Sequence, residues 1–180
     1  MAKPKKAGSQ CVDEVVAALN EVARSRRLRD EWRRGPWTRA VKEALCRWGL
    51  DRGYYVCANR VADDFRSEPK KKRPRYEWLF DVTCLVYQGN YLTGVPLVAE
   101  CEWGNEAEIY DDFQKLLLAR AEIRVMVFDA AQISSTDKFG KFEKAAKRFG
   151  MGQPGDTYLL AAYTEDRDSY CFKYRLVQTP

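Results

Sequence analysis

Residues 76–103 read YEWLFDVTCLVYQGNYLTGVPLVAECEW, and this stretch decides the fold. Tyr76 to Tyr87 carries the aromatic and β-branched residues of a long strand. Gln88-Gly89-Asn90 is a turn signal, and Pro96 to Trp103 returns as a second strand. Side chains alternate along a strand, so Leu97, Ala99, Cys101 and Trp103 point one way and Val98, Glu100 and Glu102 the other. The two glutamates are then same-face neighbours, with Cα atoms roughly 6.6–7 Å apart. A hairpin folded about a centre between Asn90 and Tyr91 sets Asp81 opposite Glu100, their Cβ atoms about 5 Å apart. A bulge at Gly94 or Pro96 would slip that pairing by one residue.

Upstream, Val12 to Leu28 and Trp37 to Leu50 show helical spacing of apolar residues, with Gly35-Pro36 read as a break between them. Tyr54 to Ala58 is a short strand, and Asp63 to Pro74 a polar, basic loop. Downstream, Glu106 to Glu122 is a helix with acids in its first turn, where the helix dipole favours them. Ile123 to Ala130 is a nearly continuous apolar run, as in a strand buried on both faces. Ser135 to Phe149 is a further amphipathic helix, and Thr157 to Thr164 with Ser169 to Gln178 a closing hairpin. A strand meander followed by helical crossovers implies an α/β fold, a mixed β-sheet flanked by helices on both faces. Residues 1–10 read as a disordered basic tail and residues 11–180 as a single domain.

Composition narrows the chemistry. The 180 residues contain no histidine, which excludes Ser-His-Asp and Cys-His hydrolases and every His-ligated metal site. The six cysteines form no C-x-x-C pair, which argues against a zinc ribbon, and Cys84 and Cys101 sit in apolar runs as small core residues. No Gly-rich phosphate loop of Walker or Rossmann type occurs. The basic start at Lys3, Lys5 and Lys6 is followed by Asp13 and Glu14 rather than an apolar h-region, and nothing approaches the ~18 apolar residues of a membrane span. A cytoplasmic protein with no membrane partner is the expectation.

Catalysis must then run on carboxylates, lysine, tyrosine or a hard metal. Asp81, Glu100 and Glu102, held this close, repel one another, and at least one pKa should rise. A divalent cation removes the conflict, and an oxygen-only ligand set favours Mg²⁺ or Mn²⁺. The plain alternative is that the acids line the wet face of a half-exposed sheet.

Here the residues resemble a known superfamily. A helix, a hairpin with Asp on its first arm and (D/E)-x-K on its second, then a helix and a strand, is similar to the core of the PD-(D/E)XK, restriction-endonuclease-like nucleases. The matching segments are LFDV with Asp81, AECEW with Glu100 and Glu102, the helix from Glu106 and the strand RVMVF, within Trp37 to Ala130. The resemblance implies a metal-dependent nuclease that hydrolyses phosphodiester bonds of nucleic acid, DNA foremost, with the metal on Asp81, Glu100 and Glu102. Glu43 on the first core helix is the candidate for a further site acid. Glu102 stands where that superfamily usually has lysine, and Lys115 is the candidate for a lysine moved to the following helix. Relatives of this kind often act as homodimers, and such a pairing stays open here.

The charge pattern suits a polyanion. Net charge is +5, with cations gathered at Arg24 to Arg39 and in the loop carrying Lys70, Lys71, Lys72, Arg73 and Arg75. That loop precedes the Asp81 strand and is the expected grip on backbone phosphates. Trp32 and Trp37 are read as packing inward rather than stacking on bases. Lys138, Lys141, Lys144 and Arg148 make a solvated helix face. Beside the nuclease, two readings remain: a catalytically inactive nuclease-like domain that binds nucleic acid or a protein partner, and an unrelated α/β interaction module.

Overall fold

The computed structural model describes residues 7–25, 34–65, 78–166 and 169–180. Among the described residues the chain forms a mixed α/β fold with a six-stranded sheet and four helices. Helices α1 (Ala7–Ala23) and α2 (Arg34–Leu50) precede β1 (Tyr55–Ala58) and a 3-10 turn at Asp63–Phe65. Then come β2 (Val82–Gln88), β3 (Tyr91–Glu102), α3 (Glu106–Leu118) and β4 (Ile123–Asp129). A 3-10 turn at Ala130–Gln132, α4 (Gly140–Arg148), β5 (Thr157–Asp166) and β6 (Ser169–Gln178) complete the chain.

The strands lie side by side in chain order, β1 to β6. Pairings β1–β2, β2–β3 and β5–β6 are antiparallel, whereas β3–β4 and β4–β5 are parallel. Alternation along the strands divides the interior into two cores. Val82, Cys84, Leu97, Ala99, Cys101 and Trp103 meet α1 and α2 on one face. Val98, Met126, Phe128 and Leu160 meet α3 and α4 on the other. Cys84 and Cys101 are buried among apolar neighbours, as expected of small core residues. Among the described residues, no helix is long and apolar enough to cross a membrane.

Several boundaries differ from the sequence reading. Helix α1 begins at Ala7, inside the stretch read as tail, and Gln10 pairs with Glu14 one turn on. Gly35-Pro36 is not a break but lies in the first turn of α2, where proline's missing N–H has no helical partner to lose. The long strand expected from Tyr76 starts only at Val82. Leu79, at φ +70°, turns the chain through a bridge between Trp78 and Phe80, so Asp81 enters on a bend just before β2. Helix α4 is shorter than Ser135 to Phe149, since the Asp137 side chain accepts from the Phe139 N–H and holds a turn ahead of it.

The hairpin reaches its expected alignment by an unexpected path. Its turn is Gly89-Asn90, with Gly89 at φ +61°, and Gln88 pairs with Tyr91 and Tyr87 with Leu92. Two irregularities between Cys84 and Tyr87 then shift the register, so that Cys84, Thr83 and Val82 face Leu97, Val98 and Ala99. The ladder thus aims Asp81 at Glu100. The bulge, which threatened this pairing in the sequence reading, is what produces it.

Two further contacts fix the helices that carry the site. Arg124, buried on β4, donates to the Ala119 and Ala121 carbonyls at the end of α3 and to Asp156. A guanidinium there satisfies the orphan carbonyls of the helix C-terminus. On the other face, α2 approaches the sheet at Gly49, where an added Cβ would lie 2.6 Å from Cys84 Sγ and 2.9 Å from Val56 Cγ2. Neither neighbour has room to yield, being short or β-branched. Gly49→Ala is therefore expected to lower stability by about 1–3 kcal/mol in urea unfolding. Gly35→Ala, with nothing within 4 Å, is the control and should leave stability level or slightly raised.

Candidate active site

β3 runs on past the start of β2, leaving the Cys101 N–H beyond the ladder. The Asp81 carboxylate takes that position, its Oδ2 accepting from Cys101 N at 3.0 Å. Its Oδ1 accepts from Lys42 Nζ at 2.8 Å. Lys42 rises from α2 and also donates to Asn59 Oδ1 at 2.6 Å. Its side chain is only 2% exposed. A fully buried ammonium with one carboxylate partner is uncommon, since desolvation is repaid only by close pairing.

Glu100 faces the α3 side and is 3% exposed. Asp112 and Lys115, one turn apart on α3, converge on it. Lys115 Nζ binds Asp112 Oδ1 at 2.6 Å and stands 3.4 Å from Glu100 Oε1. The latter is an ion pair without good hydrogen-bond geometry, and Glu100 Oε1 is buried with no hydrogen-bond partner. Burial first, then the charges of Asp112 and Asp81, push the Glu100 pKa up to about 8, against the opposing pull of Lys115. The hydrogen bond to Asp112, reinforced by the Glu100 charge, raises Lys115 to about 12 despite the opposing effect of its partial burial.

Glu43, Asp81, Glu100, Glu102 and Lys115, the five residues singled out from the sequence, all line one cleft of about 1080 Å³. They do not all converge. Glu102 turns onto the backbone, its Oε1 accepting from Trp103 N at 2.7 Å and Gly104 N at 2.5 Å. Glu43 Oε1 accepts from Ala62 N at 3.3 Å. Among the described residues, no three His, Cys, Asp or Glu side chains form a group that could hold a metal ion. The cleft's centre is thus the pair Asp81 and Glu100, with Asp112 behind and a lysine on each side. Lys70, Lys71, Lys72, Arg73 and Arg75 lie outside the described residues, as does Trp32. Trp37 is fully buried and packs against Trp103, Tyr163 and Phe172, as its inward reading requires.

Lys42 and Asp112 are the residues that the sequence reading missed. Lys42 had a signal: it lies three and four residues before Leu45 and Cys46, on the buried face of α2. A lysine in that position needs a buried acid, and Asp81 is the acid. Asp112 had a weaker one, as the residue one turn ahead of Lys115.

A raised carboxylate pKa is a statement about stability. The unfolded chain loses this proton near the ordinary glutamate value of 4.5, while the folded chain keeps it to about 8. The proton-linked stabilisation is full below the lower value and lost as pH rises through the upper one. Glu100→Gln removes the titration. In EDTA this variant is expected to be more stable than wild type at pH 9, by about 1–4 kcal/mol, with the difference shrinking toward pH 5. Paired urea curves at the two pH values check this; equal differences at both would remove Glu100 as the titrating group.

Comparisons of the chain with protein-family models, with curated proteins and with solved structures return no match, so the functional reading rests on the chemistry of this cleft.

Proposed function

We propose that the chain is a metal-dependent nuclease of the PD-(D/E)XK kind, hydrolysing phosphodiester bonds of nucleic acid, with DNA as the expected substrate. One observation carries the reading. At the end of β3, Glu100 is buried beside Asp81 and Asp112 with one oxygen lacking a hydrogen bond, inside a cleft rather than a core. A fold gains no stability from such an arrangement, and sites with opposed like charges are where catalytic groups are found.

The donor set fits a hard divalent cation, Mg²⁺ or Mn²⁺, since it offers oxygen ligands only and includes an orphaned carboxylate oxygen. Asp81 and Glu100 would hold it, and Glu102 would join by releasing the Trp103 and Gly104 amides. When bound, such a cation supplies charge neutralisation for the acids, polarisation of a phosphoryl oxygen and a water of lowered pKa. The protein's own groups do the rest. Lys42 and the Cys101 N–H fix the Asp81 carboxylate from two sides. Glu100 would have to be ionised to serve as a ligand. Lys115, half exposed, offers its ammonium to charge that develops on the phosphate, the role usually given to the strand lysine replaced here by Glu102.

A second reading draws on a different observation. Both Asp81 oxygens and the carboxylates of Glu43 and Glu102 already have partners within the protein. A domain that binds nucleic acid without cutting it would keep its acids neutralised in this way. The two readings separate in a cleavage assay on plasmid, linear duplex, single-stranded DNA and RNA, with Mg²⁺, Mn²⁺ or EDTA. The nuclease requires cleavage that depends on metal and falls by about 10²-fold or more in Asp81→Ala and in Glu100→Ala. No cleavage of any substrate by the wild type, with salt-sensitive binding intact, would establish the second reading in its place.

A further inference from the structure

The cleft holds four described cations, and they divide into two pairs. Lys42 and Lys115 serve the acids, each within ion-pair distance of a carboxylate. Arg39 and Arg60 do not. Both line the cleft and both are exposed. Neither makes an ion pair or hydrogen bond among the described residues. Two acids of the same cleft are engaged elsewhere: Glu43 with the Ala62 amide and Glu102 with the Trp103 and Gly104 amides. Among the described residues, then, both arginines stand without a partner in the cleft that holds the carboxylate pair.

Their placement is built, not incidental. Arg39 is on α2, three residues or about one turn from Lys42, so it shares the face that meets Asp81. Arg60 follows Asn59, which accepts from Lys42. Its backbone sits at φ +54°, a left-handed conformation that costs an L-residue about 1–2 kcal/mol. Strain of this sort persists at sites where geometry matters more than stability. Two free guanidinium groups, each a planar fork of donors, match phosphate oxygens better than ammonium groups would.

We infer that Arg39 and Arg60 form the strand-binding wall of the cleft, holding backbone phosphates of a nucleic acid beside the phosphate presented to Asp81 and Glu100. This inference rests on the nucleic-acid reading of the site, and names the part of the cleft that binds as distinct from the part that cuts. It adds a second grip, on α2 and after β1, to the one expected of the loop at Lys70 to Arg75.

The test is binding, measured apart from cleavage. Fluorescence anisotropy of a labelled 12-nucleotide single-stranded DNA is followed in EDTA across a salt series. Wild type, Arg39→Gln/Arg60→Gln and a control, Lys144→Gln/Arg148→Gln on α4, are compared. The control removes the same charge from a face outside the cleft. The arginine variant is expected to bind on the order of tenfold more weakly, with its salt slope shallower by about 1.4, two single-strand contacts at roughly 0.7 each. An unchanged slope in the arginine variant, or an equal loss in the control, would overturn the wall. Absence of cleavage would not, since binding is read without metal; failure of the wild type to bind the strand at all would overturn both readings.

Discussion

A carboxylate removed from water beside two others of the same sign is the constraint on which this structure depends. Glu100 is held there by β3, whose alternation turns it toward α3, and by the ladder that delivers Asp81 to its side. The chain answers with two lysines. Lys42 crosses from α2 to Asp81, and Lys115 leans from α3 over Asp112 and Glu100. The acids therefore link both helical layers to one strand end. Arg124 steadies the far end of α3, and the close approach at Gly49 fixes α2. The elements around the sheet hold in place a site that none of them gains stability from.

That arrangement explains the unequal fates of the five acids around the cleft. Asp81 is tied down by an ammonium and an amide. Glu102 and Glu43 rest on backbone N–H groups near the cleft's edge. Asp112 shares its charge with Lys115. Of the five, Glu100 alone has a buried oxygen with no hydrogen bond, and it is the most buried of them. Its protonation near neutral pH is the cheapest relief available without a cation. Arg39 and Arg60 line the same cleft and have no ion-pair partner among the described residues.

Much of this was legible in the sequence. Alternation in LVAECEW placed Glu100 and Glu102 on one face, and the absence of histidine restricted the chemistry to carboxylates and lysine. The mixed sheet with helices on both sides followed from the order of strand and helix patterns. What escaped was tertiary. Leu79 in a left-handed conformation delays the start of the first arm, and nothing in a β-rich run announces it. Side-chain hydrogen bonding sent Glu102 and Glu43 to backbone amides, a choice made by the local loop rather than by spacing. Lys42 was hidden because a lysine on an amphipathic helix is ordinarily solvated. Only its position beside Leu45 and Cys46 marked it as buried.

Asp81 and Glu100 are proposed to take up a hard divalent cation. The most direct measurement is isothermal titration of the protein with Mn²⁺ at pH 7, repeated in two buffers of different ionisation enthalpy. Binding should displace the Glu100 proton, because a ligating carboxylate must be ionised. Wild type is expected to take up Mn²⁺ with release of close to one proton, and Glu100→Gln to release none and to bind far more weakly. Saturation with no difference between buffers, or no heat of binding at millimolar Mn²⁺, would contradict the claim.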